Sequence, residues 1–288
     1  MAKALAGLRT RLAADPRFGP GAIARSPDGA ALLSVPVHGD SSSESVINAV
    51  RELRSTTVPD AFAGTGADAL VGGPASENVD YIDSATDPAP MVIALVLGLT
   101  FILLTIVFRS LVIAGLTVVL NLLSVGAAYG LIVLVFQHGL GAGFFGFQQS
   151  DTIEAWVPLF LFSVLFGLSM DYQVFLLSRI KEHHDKTGDT TAAVGFGVAT
   201  TARIITGAAL IIIAVFTGFA RGELIMFQQM GFGVAVALLL DATIVRSVLL
   251  PSAMRLLGRW NWYLPSWLRW LPQMQVEAPR TEAARQPG

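Results

Sequence analysis

The sequence predicts an all-α transmembrane bundle of five spans, preceded by part of a small α+β domain. Two observations predict it. The chain has 288 residues, 53% of them hydrophobic and only 14% charged, against about 25% charged in soluble chains. Its composition also breaks sharply at Pro88-Ala89-Pro90, with polar sequence before and long apolar runs after. The composition excludes several classes. There is no cysteine, so disulfides, thiolate metal sites and cysteine nucleophiles are ruled out. A net charge of -2, with no basic stripe, argues against a nucleic-acid partner.

Residues 1–88 read as an incomplete α+β piece. Ala30 to Val37 has strand character. Ser42 to Arg54 reads as a helix, with Ser42 or Ser43 as its cap and Val46, Ile47, Val50 and Leu53 as its apolar stripe. Ala69 to Gly73 reads as a second short strand, and Pro74-Ala75 turns into a helix through Asp83. Met1 to Gly21 contains no continuous apolar stretch and no secretory h-region.

The transmembrane domain covers residues 89–253. Its spans lie at about 91–108, 111–136, 156–178, 204–220 and 230–251, each close to the roughly 20 apolar residues that cross a bilayer. Frequent glycine, 28 residues, suits close helix packing in lipid. Orientation follows from lysine and arginine. Arg109, then Arg179, Lys181, Lys186 and Arg203, then Arg246, Arg255, Arg259 and Arg269 fall on one side, and Arg221 on the other. The C-terminus is therefore expected in the cytoplasm and residues 1–88 outside a plasma membrane. A polar segment of that size then has to cross with no span ahead of it, so a span is expected upstream of this sequence. Residues 254–288 form a cytoplasmic aromatic and basic tail. Trp260, Trp262, Tyr263, Trp267 and Trp270 are expected at headgroup level, and Gln275–Gly288 is expected to be disordered.

Asp171 is the most informative residue. It lies eight residues before Arg179, or about 12 Å inside the cytoplasmic edge at 1.5 Å per residue. An ionised acid near mid-bilayer costs roughly 2.5–3.5 kcal/mol on insertion scales. Burial favours the neutral form of a carboxyl, and an acid so placed can load and release a proton. Ser163, Gly167 and Asp171 are spaced i, i+4, i+8 and share one helix face. Small residues on that face admit a neighbouring helix, so Asp171 is expected in a helix interface rather than in lipid. The alternative is a structural acid bonded to another span.

Asp241 repeats the pattern with Gly233 and Ala237, but Arg246 follows five residues later. A cytoplasmic-edge ion pair is the expectation there. Asn121 and Ser124 share a face of the second span and either pack or line a path. His183 and His184 sit in a charged stretch, Lys181 to Lys186, read as a solvated loop; no metal site is expected. No Walker motif, phosphate loop or Ser/His/Asp pattern is present, so neither ATP-driven transport nor an enzyme is expected.

The run Phe166–Ile180 (FGLSMDYQVFLLSRI) resembles a signature of the MMPL family, in the resistance-nodulation-division superfamily. Asn121–Gly130 (NLLSVGAAYG) resembles the preceding span. Leu240–Arg246 (LDATIVR) and Leu256–Trp262 (LLGRWNW) resemble the C-terminal end. The resemblance covers about residues 20–272. It implies twelve spans in two repeats, each with an extracytoplasmic porter domain after its first span, and this chain matches the second repeat from inside that porter domain onward. It implies proton-driven export of lipids or other hydrophobic compounds, with protons as the coupling ion. It also implies a relay built from an Asp-Tyr pair in each repeat. Asp171 and Tyr172 match the second pair, with Ser163, Gly167, Phe175, Asn121 and Ser124 as relay or packing neighbours. The expected partners are membrane lipids, a hydrophobic substrate, and the missing first repeat or another copy. The alternative within the superfamily is a non-transporting sensor or scaffold, or an inactive fragment.

Overall fold

The computed structural model describes residues 2–27, 29–150, 152–268 and 270. It divides into two compact units, Met1–Pro88 and Ala89–Gly288.

The first unit opens with α1 (Ala2–Ala13), whose Leu5, Leu8 and Leu12 are buried at helical spacing. Periodicity in the sequence did not mark this helix, because alanine and glycine between the leucines blur the stripe. Strands β1 (Ala22–Arg25) and β2 (Ala31–Ser34) pair antiparallel, with Ile23 opposite Leu33. The expected strand at Ala30 to Val37 thus shortens to four residues and gains a partner. Helix α2 (Glu44–Glu52) continues through a π-helical turn, Leu53–Thr57, into α3 (Val58–Phe62). Ser43 stands at the cap position without capping: its hydroxyl donates to the Asp40 carbonyl instead (2.7 Å).

The second expected strand, Ala69 to Gly73, is absent. Leu70 is 97% exposed there, and an extended segment without a ladder partner has nothing to hold it as a strand. Gly73, at φ 103°, starts α4 (Pro74–Thr86). Val46 and Val50 of α2 and Val79 of α4 are buried, and Arg51–Asp83 and Arg54–Asp80 ion pairs flank them.

The second unit is the bundle. Its helices are α5 (Ala89–Phe108), α6 (Leu111–Ile132, with a π-helical end Val133–Gln137), the short α7 (Ala142–Phe145), α8 (Val157–Thr187), α9 (Thr190–Ala220), α10 (Ile225–Leu240) and α11 (Leu250–Leu257). Asp241–Leu249 joins α10 to α11 as a π-helix. Among the described residues, five helices are long and apolar enough to cross a membrane. Each junction has a local cause. Between α5 and α6 the chain turns at Arg109, at φ 52°, and Ser110 caps α6 by accepting from the Ile113 N–H (3.1 Å). Between α8 and α9, Gly188 takes the left-handed conformation (φ 71°) that ends a helix. Asp189 then caps α9 through the N–H groups of Thr191 and Ala192.

Helix α8 extends past its apolar run. Thirty-one residues are about 46 Å long, well beyond a 30 Å hydrocarbon core. The stretch Lys181 to Lys186 is therefore helix and not loop. His183 stacks on Phe196 and His184 on Trp262, each at 4.4 Å. The tail docks too. Asn261 is fully buried, donating to the carbonyls of Met254 (2.6 Å) and Gly258 (2.7 Å). Its own carbonyl accepts from Ser110 Oγ. Trp262 is thus a packing residue, whereas Trp260, Trp267 and Trp270 are exposed. Residues 275–288 lie outside the described residues.

Glycine sets the closest helix approach. A Cβ on Gly231 of α10 would meet the backbone of Phe216 and Ala220 in α9, whereas one on Gly126 of α6 would meet nothing within 4 Å. Gly231→Val is expected to destabilise the protein by about 1–3 kcal/mol through overpacking, and Gly126→Ala to be neutral. Thermal unfolding of the purified variants measures both.

In the first unit, Arg17 donates to the Asp15 carboxylate from its side chain (2.6 Å) and its backbone N–H (2.9 Å). These bonds hold the Asp15 carboxyl below its ordinary 3.8. The stabilisation is present above that value and is lost as pH falls through the lowered one. The effect is small, because Arg17 and Asp15 side chains are 34% and 24% exposed. Pepsin sensitivity of this unit should rise less steeply with acid below about pH 4 in Asp15→Asn than in the parent.

Candidate functional site

Two apolar clusters fill the bundle. One contains Leu104, Phe108, Leu176, Leu177 and Ile180; the other contains Phe136, Leu161, Phe162, Leu165 and Leu238. Between them, α6, α8 and the π-helical segment Asp241–Leu249 contribute a buried polar seam of Thr117, Asn121, Ser124, Ser169, Gln173, Asp241 and Arg246.

At its centre Arg246 Nη2 lies 2.5 Å from Asp241 Oδ2, and both side chains are 5% exposed. Helix geometry explains the pairing. Five residues place two side chains about 140° apart on a helix of 3.6 residues per turn. The π-helical segment, with i to i+5 bonding, brings them to one face. Ser169 Oγ donates to Asp241 Oδ2 (2.9 Å). Arg246 Nη2 donates to the Ser169 carbonyl (2.9 Å) and hydroxyl (3.0 Å). Gln173 Nε2 donates to Thr117 Oγ1 (3.3 Å), and Ser124 Oγ to the Ala237 carbonyl (3.4 Å).

Asp241 and Arg246 pair, and the pair is buried among the helices. Ser169 holds both, and it stands two residues from Asp171, or about 3 Å along the helix axis. The two intramembrane acids therefore lie at one level.

Asp171 occupies the opposite face of α8. Ser163, Gly167 and Asp171 are all exposed. Among the described residues Ser163 bonds its own helix, donating to the Leu159 carbonyl (2.8 Å), and a Cβ on Gly167 would meet nothing within 4 Å. The expected face is real, but among the described residues no helix of this chain covers it. Tyr172, half-buried, bridges the two sides: the Arg246 guanidinium lies 5.4 Å above its ring. Phe175 is half-buried beneath Arg179, whose guanidinium is 5.8 Å from the ring centre.

Comparison with known sequences matches this chain to the MMPL family over residues 13–281. The chain belongs to the MMPL family. The heme uptake protein MmpL11 of Mycobacterium tuberculosis is 41% identical over 278 residues, covering 96% of this chain and 28% of that protein. The mycolic acid-containing lipids exporter MmpL11 of Mycolicibacterium smegmatis is 43% identical over 218 residues, 75% of this chain and 23% of that protein. The trehalose monomycolate exporter MmpL3 of the same species is 34% identical over 220 residues, 76% and 21%. This MMPL chain thus spans roughly a quarter of the length of these relatives.

Sequence reasoning missed Ser169, Thr117 and Gln173. The available signal was the i, i+4 spacing of Ser169 and Gln173 on α8, on a face distinct from that of Asp171. His183 and His184, each stacked on an aromatic ring, are not joined to the seam.

Removing one partner of a buried ion pair leaves the other uncompensated. Arg246→Met is expected to destabilise this MMPL protein by about 3–5 kcal/mol, and Asp241→Asn with Arg246→Met together to recover part of that loss. Unfolding of the single and double variants in detergent measures the difference.

Proposed function

We propose that this chain is half of a proton-gradient-driven exporter of lipids or other hydrophobic compounds, with Asp171 and Tyr172 contributing to an intramembrane proton relay. One observation carries the reading: the acid-bearing face of α8 is open, while Tyr172 beside it touches the buried Arg246. A charged residue at the centre of a spanning helix costs roughly 2.5–3.5 kcal/mol on insertion scales. A further helix covering Ser163, Gly167 and Asp171 removes that cost. In this reading the cover is the first repeat of the transporter, or another copy.

The names of two relatives, as exporters of mycolic acid-containing lipids and of trehalose monomycolate, support a lipid cargo. A third relative is named for heme uptake, so the reading commits to hydrophobic cargo and not to one lipid. Residues 1–88 form part of a porter domain outside the membrane, and the C-terminus faces the cytoplasm. The coupling ion is the proton; no cofactor and no enzymatic step enter the reading.

Mechanistically, Asp171 takes a proton from the outside. Its neutral form no longer demands hydration or a counter-charge, so the helix across from it can repack. Tyr172 hydrogen-bonds across that contact, and the porter domain moves with the repacked helices. Return of the proton to the cytoplasm resets the site.

Asp171→Asn in the complete transporter is expected to abolish gradient-dependent export at equal membrane expression. Undiminished export rejects the relay and favours a non-transporting sensor or scaffold role for this half.

A further inference from the structure

The polar seam contains a cavity of about 10 Å³ between α6, α8 and the π-helical segment after α10, with Asn121, Ser124, Ser169 and Asp241 on its polar side and Leu165 and Phe166 among its apolar walls. That is room for one water molecule.

Hydrogen-bond accounting shows what the cavity requires. Ser169 Oγ carries one proton. It lies 2.9 Å from Asp241 Oδ2 and 3.2 Å from Asn121 Oδ1, and it can donate to only one of them. The charged acceptor at the shorter distance takes it, which leaves Asn121 Oδ1 without that proton. Asn121 Nδ2 is buried and also lacks a partner. Turning the amide over lets Nδ2 donate to Ser169 Oγ, but Oδ1 then needs a donor. In either orientation at least one polar atom of Asn121, a residue only 3% exposed, has no protein partner. A buried polar group in that state costs about 1–3 kcal/mol.

The geometry points to a single ordered water in this cavity, bonded to Asn121 and donating to Asp241 or Ser124. The chemistry selects water over a cation. Asn121 presents an N–H in one of its two orientations, and Arg246 already supplies the positive charge at 2.5 Å from Asp241. Only a ligand that both donates and accepts serves both amide orientations. Three to four polar groups surround the cavity, as a buried water requires. The inference does not depend on the proton relay.

Radiolytic hydroxyl labelling, which oxidises side chains beside bound water, tests it in the intact protein. Phe166 is 2% exposed, so it is expected to be labelled in the parent only through the internal water. Asn121→Leu is expected to remove that labelling while Phe144, which is 89% exposed, stays labelled in both. An unlabelled Phe166 in the parent, or equal labelling in the variant, overturns the site. If Asn121→Leu fails to fold, a density map of the parent at water-resolving detail decides. A peak within hydrogen-bonding distance of Asn121 and Asp241 supports the site, and no peak overturns it. Loss of export in Asp171→Asn, or its retention, leaves this outcome unchanged.

Discussion

The bundle is organised around the ion pair between Asp241 and Arg246. Two charges taken out of water must recover several kilocalories per mole each, and only good geometry with further hydrogen bonds achieves that. The pair obtains the geometry from the π-helical turn between α10 and α11. It obtains the hydrogen bonds from Ser169, which donates to the carboxylate and accepts from the guanidinium at once. Those requirements fix α8 against the π-helical segment that follows α10. The apolar clusters on either side of the seam tolerate rearrangement in ways the seam does not, because a leucine that shifts loses contact area while an arginine that shifts loses its counter-charge.

That constraint reaches Tyr172. The guanidinium lies over its ring, an electrostatic contact worth up to about 2 kcal/mol when desolvated. Tyr172 and Asp171 are adjacent, so the backbone that positions the open acid is held through the buried pair. The two acids at one depth consequently have different environments. Asp241 has a fixed cation at hydrogen-bonding distance. Asp171 has no ion-pair partner among the described residues. In the proposed relay this asymmetry assigns the roles: the acid with a permanent counter-charge is structural, and the acid without one is free to exchange a proton.

Much of this was legible from residue types and spacing. The five spans follow from apolar run length, and the Ser163-Gly167-Asp171 face follows from the helical period. The limits are equally physical. Helix ends were placed where apolar runs stop, yet α8 continues to Thr187 because its polar extension still has helical hydrogen bonds, ring stacking by His183 and His184, and a glycine stop at Gly188. Arg246 was read as a basic residue near a membrane edge, whereas its burial beside Asp241 makes it a counter-ion within the bundle. Pairing at a separation of five depends on π-helical geometry, which composition does not encode. The strand expected at Ala69 to Gly73 failed for the opposite reason: local β character is insufficient without a partner strand.

The open face of α8 and the closed seam behind it are two aspects of one helix. A helix gains stability in lipid from close packing and interhelical hydrogen bonds, since apolar burial alone offers little there. The seam face of α8 satisfies both terms through Ser169 and Gln173. The other face offers small residues and an acid, which gain nothing from lipid tails. Such a surface is incomplete as a lipid contact and suited to a helix contact. The stability of α8 can then reside on its seam side, where Arg246 and Asp241 hold it, and the Asp171 side is left able to change partners without unfolding the bundle.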